Sequence, residues 1–292
     1  MRILRLTWLV LFVFVLAPYQ RLSAAEPNSD IPFRLYEGFA MVVRGSIGGQ
    51  TGLNFLFDTG AVPTAIHQRL AQSLNIHGKR EAIALGAETS SVERVQVREL
   101  RLEGSTEQRM VSAVVVDLTP IEVRLRVRLD AVIGLDVLKQ DFTIDYREKR
   151  IRFGPPNANG QAVPFELRYQ AGAPYIVVLC EIDSDVLSLL LDTANDSLTL
   201  FRTKSQAGAT GLRKVRASET VDAQGRHPTL RAELRSLRFG SSEWSDVAAT
   251  VITSMDASAM RDFDGMLGPT SLGITRIGFD FAKKTMFVEF KK

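Results

Sequence analysis

Two aspartates, Asp58 and Asp192, each end a run of apolar residues, and a threonine follows each at once. The stretches read "LNFLFDTGAV" and "LSLLLDTAND", and the two aspartates stand 134 residues apart. One Asp-Thr-Gly is an ordinary turn signal, because Asp hydrogen-bonds the backbone two residues on and Gly opens the backbone. A second copy changes the chemistry on offer. Two carboxylates at hydrogen-bonding distance cannot both ionise, so such a pair holds one proton. The ionised member can then act as general base on a water while the protonated one polarises a carbonyl, and the bond is hydrolysed without a covalent intermediate.

The elements that would position these residues repeat with them. Gly134 in "DAVIGLDVL" and Gly268 in "DGMLGPTSL" each lie 76 residues beyond their aspartate. A strand threaded against a loop needs a position without Cβ if two backbones are to approach. Upstream, "IPFRL" from Ile31 matches "VPFEL" from Val163; downstream, "FTIDYREKRIRF" ending at Phe153 matches "IGFDFAKKTMFVEF" ending at Phe290. The chain is an internal duplication, and duplicated halves can meet across a pseudo-twofold axis with their aspartates face to face. The Gly-, Pro- and Asn-rich "GPPNANGQ", residues 154–161, reads as the linker. This divides the chain into a leader, 1–25, a first lobe, 26–153, and a second lobe, 162–292.

Within each half the apolar runs are short, β-branched and often alternating, as in "VERVQVRELRLEG" and "TLRAELRSLRFG", so the fold class is mostly β. The helical exception is "TAIHQRLAQSLNI", where Ile66, Leu70, Leu74 and Ile76 share a face and Thr64 offers a cap; a second helix is expected after "GLDVL". "GSIGGQTG", residues 45–52, lacks the Lys-Ser/Thr of a phosphate loop and reads as a hairpin turn.

These residues resemble the retropepsin and pepsin-like aspartic proteases, in the form of bacterial two-lobed retropepsin-like proteins. "FLFDTGAV" is similar to that family's catalytic loop, and the apolar-apolar-Gly triplets ending at Gly134 and Gly268 are similar to the strand behind it. The resemblance covers about residues 31–290. It implies two acid-protease-like β-barrel lobes with a cleft between them. By the same resemblance Asp58 and Asp192 would be the catalytic pair, Thr59 and Thr193 would send their hydroxyls to the opposite loop, and Gly60 would present its N–H to the carboxylate. The hairpins carrying Gly86 and Ala87 in the first lobe and Gly225 in the second would be substrate flaps, both without the tyrosine that pepsin flaps use.

The second loop departs from the pattern with Ala194 where the family usually has glycine. At negative φ the Ala194 N–H still reaches the carboxylate; at positive φ the added Cβ costs about 1 kcal/mol or more and shifts the loop. Ala61 stands where many pepsins carry a hydroxyl that bonds the ionised carboxylate. Losing a bond to the charged form raises a pKa, so activity is expected at about pH 5–7 with a bell-shaped profile. The triplet "NDS" at Asn195 fits a glycan acceptor, but a sugar there would block the cleft.

Composition bounds the partners. Arg2 and Arg5 precede an apolar run from Leu6 to Ala17, and "LSAAE" offers small residues before Glu26, the pattern of an export signal. A periplasmic or secreted protein is expected, with a retained anchor as the alternative. Removing that leader takes Arg2, Arg5 and Arg21 and no acid, leaving 33 basic and 33 acidic residues. The basic isoelectric point is therefore no footprint for nucleic acid or anionic lipid, and no stable membrane insertion is expected once the leader is cut. Cys180, the only cysteine, reads as a small buried apolar residue, and the three histidines, His67, His77 and His227, have no ligand-like spacing. No metal and no cofactor are expected. By the resemblance the partner would be a peptide or protein substrate, and a chain carrying both lobes needs no second copy, so a monomer is expected. The alternative function is a non-catalytic peptide- or protein-binding module of the same fold, to which Ala194 would point. A pair of carboxylates hydrolysing a glycosidic bond is a third class.

Overall fold

A computed structural model describes residues 30–85, 88–104, 107–138, 140–170, 173–201, 211–222, 225–252 and 263–291. The expected leader and the flap residues Gly86 and Ala87 lie outside the described residues. The first half runs β1 (Asp30–Tyr36), β2 (Ala40–Ile47), β3 (Gln50–Phe57), β4 (Ala65–His67), α1 (Gln68–Ser73), β5 (Lys79–Leu85), β6 (Glu88–Leu102), β7 (Glu107–Val116), α2 (Thr119–Leu125), β8 (Ala131–Ile133), β9 (Phe142–Asp145) and β10 (Arg150–Phe153). The second runs β11 (Gln161–Pro164), β12 (Glu166–Gln170), β13 (Ala173–Ile182), β14 (Asp185–Leu191), β15 (Leu198–Phe201), β16 (Arg213–Asp222), β17 (Gly225–Phe239), β18 (Ser242–Ile252) and β19 (Gly265–Leu267). A 3-10 turn (Pro269–Leu272), β20 (Ile274–Asp280) and β21 (Thr285–Phe290) complete it.

The fold is mostly β and two-lobed, and the duplication seen in the sequence is a duplication of strand pairings. In the first half β3 lies parallel to β8, with Leu56 opposite Val132, and β4 runs antiparallel to β8. In the second half β14 lies parallel to β19, with Leu190 opposite Met266, and β15 runs antiparallel to β19. Each half thereby clamps a buried three-residue strand between two others, directly under its aspartate. Asp130 and Asp264 brace these strands in the same way: Asn54 N donates to Asp130 Oδ2 at 2.9 Å and Ser188 N to Asp264 Oδ2 at 2.8 Å. Both side chains caught a role that the sequence reading missed, although each opens one of the two quoted motifs.

The halves are joined by a shared sheet. Strands β20 and β21 lie beside β9 and β10 in the order β11-β21-β20-β9-β10-β1, with Ile144 opposite Ile277 and Phe142 opposite Phe279. Phe142 is fully buried and packs on Phe57 at 5.6 Å and Phe279 at 4.7 Å between ring centroids. Each such pair contributes about 0.5–1.5 kcal/mol beyond its area. Because Phe57 immediately precedes Asp58, the floor of the site rests on side chains from both halves. Cys180 is buried in the same core, and burial pushes its thiol up to about 12.

Two sequence expectations need correction. The helix expected over residues 64–76 is shorter: residues 65–67 form β4, and only Gln68–Ser73 is α-helical, capped by His67 Nδ1 accepting from Arg69 N at 3.2 Å. Ile66 is held in a ladder opposite Val115 and Ala131, and that pairing outweighs helical periodicity. Thr64 is no cap, since its hydroxyl donates to Asp136 Oδ1 at 2.8 Å and accepts from Gly134 N at 3.0 Å. After "GLDVL" the chain makes a turn, with Val137 N and Leu138 N both donating to Gly134 O, and no helix follows there among the described residues. The second helix is α2, which begins with Thr119 and Pro120 and carries Glu122 in its first turn and Arg124 in its last, a start-and-stop pattern suited to the helix dipole. The "GSIGGQTG" segment is the β2–β3 hairpin, with Ile47 opposite Gln50 across Gly48 and Gly49, both at positive φ.

Candidate functional site

Each aspartate leaves its strand tied to the strand behind it. Asp58 N donates to Ile133 O and Asp192 N to Leu267 O, both at 3.0 Å. The backbones run so close that a Cβ on Gly134 would lie 2.1 Å from Ala61 O, and one on Gly268 2.1 Å from Asn195 O. No side chain fits either position.

The two loops then grip each other. Thr59 N donates to Thr193 Oγ1 at 3.0 Å, and Thr193 N donates to Thr59 Oγ1 at 3.2 Å. Each hydroxyl also donates across the seam, Thr59 Oγ1 to Leu191 O at 2.8 Å and Thr193 Oγ1 to Phe57 O at 3.3 Å. Both threonines are buried, so these four bonds replace water that cannot reach them; an N–H left without a partner there would cost about 1–3 kcal/mol.

This grip sets the carboxyl groups of Asp58 and Asp192 beside each other at the seam, where they line one cavity and each acts on the other's ionisation. Gly60 N donates to Asp58 Oδ1 at 2.7 Å, and Ala194 N donates to Asp192 Oδ1 at 2.8 Å. Ala194 is absent from the positive-φ residues, so its methyl carries no left-handed strain and its N–H makes the bond that glycine would make. Burial holds Asp58 well above the usual carboxylate range, and the neighbouring Asp192 raises it further, against the opposing N–H of Gly60. Asp192 is also raised by burial, but the N–H of Ala194 and the bond from Asp58 pull it back. Two carboxyls raised together in this way hold one proton between them.

Above the pair lies a cavity of about 270 Å3. The first half supplies Phe39, Leu118 and Ile121, the second Tyr175, Phe201 and Phe263. Tyr175 crosses the seam, its hydroxyl donating to Val62 O at 3.4 Å. Gly225 stands opposite Asp222 at the end of the β16–β17 hairpin, and Thr220, Val221 and Asp222 of that hairpin line the cavity. Asn195 also lines it and is engaged with Thr199 Oγ1 at 3.2 Å. Three contributors were not singled out from sequence: Asp136, whose carboxylate accepts from Thr64 N at 3.0 Å, Tyr175, and Arg124. Tyr175 sits in the apolar strand β13 and Arg124 in α2, which the sequence reading did not place.

Residues 43–137 match a family model described as aspartyl protease. No curated protein matches the chain.

Proposed function

We propose that this chain, whose residues 43–137 match an aspartyl protease family model, is an exported aspartic endopeptidase using Asp58 and Asp192 on a peptide held in the interlobe cleft. The observation that carries the reading is the placing of both carboxyl groups in one cavity at the seam, fixed by the reciprocal Thr59–Thr193 bonds. Asp192, ionised, takes a proton from a bound water as that water attacks the scissile carbonyl carbon. Asp58, protonated, donates to the carbonyl oxygen; as the tetrahedral intermediate collapses, Asp192 passes the water's proton to the leaving amine and a hydroxyl of the intermediate returns one to Asp58. The protein needs no metal or cofactor for these steps.

Thr59, Thr193, Gly60, Ala194, Gly134 and Gly268 hold the pair, while the hairpin that carries Gly225 closes over substrate. The division into lobes 26–153 and 162–292, the export leader 1–25 and a monomeric state belong to the same proposal. Among the described residues no helix is long and apolar enough to cross a membrane. The test is incubation of purified protein with a mixed peptide library across pH 3–8, beside an Asp58→Asn variant. Cleavage that the variant loses supports the reading. Peptides bound but left whole by the parent protein would replace it with the non-catalytic binding module, and release of sugar from glycans would replace it with glycoside hydrolysis.

A further inference from the structure

Arg124, on α2 of the first lobe, forms an ion pair with Asp196, four residues past Asp192 on the opposite lobe. Its guanidinium also lies over the Phe39 ring, 5.2 Å from the centroid. Among the described residues lining the cavity, Arg124 is the one Lys or Arg, set against Asp58, Asp192 and Asp222. We propose that the Arg124–Asp196 pair is a clasp across the cleft that positions the Asp192 loop against α2 and balances the negative charge this loop carries beside the carboxyl pair. This rests on the reading of Asp58 and Asp192 as the working pair, and it makes Arg124 and Asp196 positioning residues for it.

The clasp has mechanical support around it. Helix α2 also packs against the β16–β17 hairpin, which lines the same cavity, so the helix that carries Arg124 touches both the hairpin and the Asp192 loop. Its neighbour Glu122 is engaged elsewhere, accepting from Arg69 at 3.0 Å, which leaves Arg124 as the helix's charge toward the cavity. A guanidinium held over an aromatic ring and paired with a carboxylate is fixed in direction. Among the described residues, the groups that act on Asp192 or share its cavity are Asp58 beside it, Asp196 on its own loop, Arg124 from α2, Asp222 from the hairpin with its own partner His227 at 2.8 Å, and the buried Tyr146 hydroxyl, which burial first and Asp192 second push upward. Asp196 raises Asp192; a cation on Asp196 opposes that effect, and losing the cation exposes it.

The consequence is a pair of opposite effects that a merely structural contact would not produce. Asp192 ionisation would be followed by carbon-13 NMR of the aspartate carboxyl groups in the full folded chain, assigned with Asp192→Asn. Arg124→Ala should raise the first ionisation of the pair and Asp196→Asn should lower it, each by about half a pH unit for a charge in the partly solvated cleft. The double variant should return near the parent, and Arg124→Lys should stay close to it. The acid limb of the cleavage profile should move in the same directions. Singles that move the same way, or an Asp196→Asn chain that does not move, overturn the clasp; should Arg124→Ala fail to fold, Asp196→Asn decides alone. Because the NMR readout needs no turnover, opposite shifts without any peptide cleavage would sustain this inference while removing the proteolytic reading, and cleavage with no shifts would do the reverse.

Discussion

In the loop after β3, a Cβ on Gly60 would lie 2.6 Å from Asp192 Cγ. In the loop after β14, Ala194 takes the matching place, and its methyl packs against the first-lobe cluster that contains Phe39 and Leu56. The hydrogen bonds are nevertheless the same on both sides, 2.7 Å from Gly60 N and 2.8 Å from Ala194 N to their own aspartates. The duplicated halves therefore share their bonding and differ in their room. Glycine is required where the opposite carboxyl leans in, and its absence from the second loop removes space without removing a donor.

The comparison breaks most sharply at the carboxylates. Asp58→Asn and Asp192→Asn should each lower kcat/KM on a cleaved peptide by roughly 10²–10⁴-fold; a single variant that keeps parental activity would show that the two loops are not equal partners. Next, Gly60→Ala should push the carboxyls apart and cost about 10²-fold in rate, the usual penalty for misplacing a reacting group by an ångström. Kinetics within a few-fold of the parent would contradict the packing difference.

Thr59→Val and Thr193→Val test the shared bonding. Each strands buried backbone and should destabilise the chain by about 1–3 kcal/mol in urea unfolding, with the two losses similar. Strongly unequal losses would mean that one lobe carries the grip.

Protonation gives a prediction of its own. A carboxyl whose folded pKa is raised, as that of Asp58 is, contributes stability that is complete below its unfolded value and lost as pH rises through the folded one. Asp58→Asn, which cannot ionise, should therefore melt higher than the parent at pH 8, and the gap should close as pH falls toward 4. Calorimetry across that range would show a constant gap if the carboxyl were not raised. The smallest effect is expected from Ala194→Gly, with cleavage within about twofold of the parent, a barrier change under about 0.4 kcal/mol. A large gain in activity would mean that the methyl impairs the second loop.

Much of this arrangement was visible in the chain. The matching offsets of Asp58, Gly134, Asp192 and Gly268 reflect a geometry in which every member must pass the same distance from its neighbour, and the structure brings all four to one seam. Residues 64–67 were misread because a three-residue strand is too short to show a period, and its identity comes from partners at Val115 and Ala131. Arg124 was missed for a related reason: a charge on a short helix has no local mark of facing Asp196, 72 residues away. Asp130 and Asp264 did carry a signal, as the first letters of both motifs, but bracing a strand leaves the same trace in sequence as ending one.

The β9–β20 ladder has a consequence for anyone who would dissect the molecule. Cutting after the first lobe would strip β20 from β9 and leave a row of backbone donors and acceptors beside the uncovered ring of Phe142. The best substitute for the lost strand is another β9, running antiparallel. The severed fragment would thus be sticky toward its own kind, and the covalent linkage of the two halves serves to keep that adhesive edge occupied.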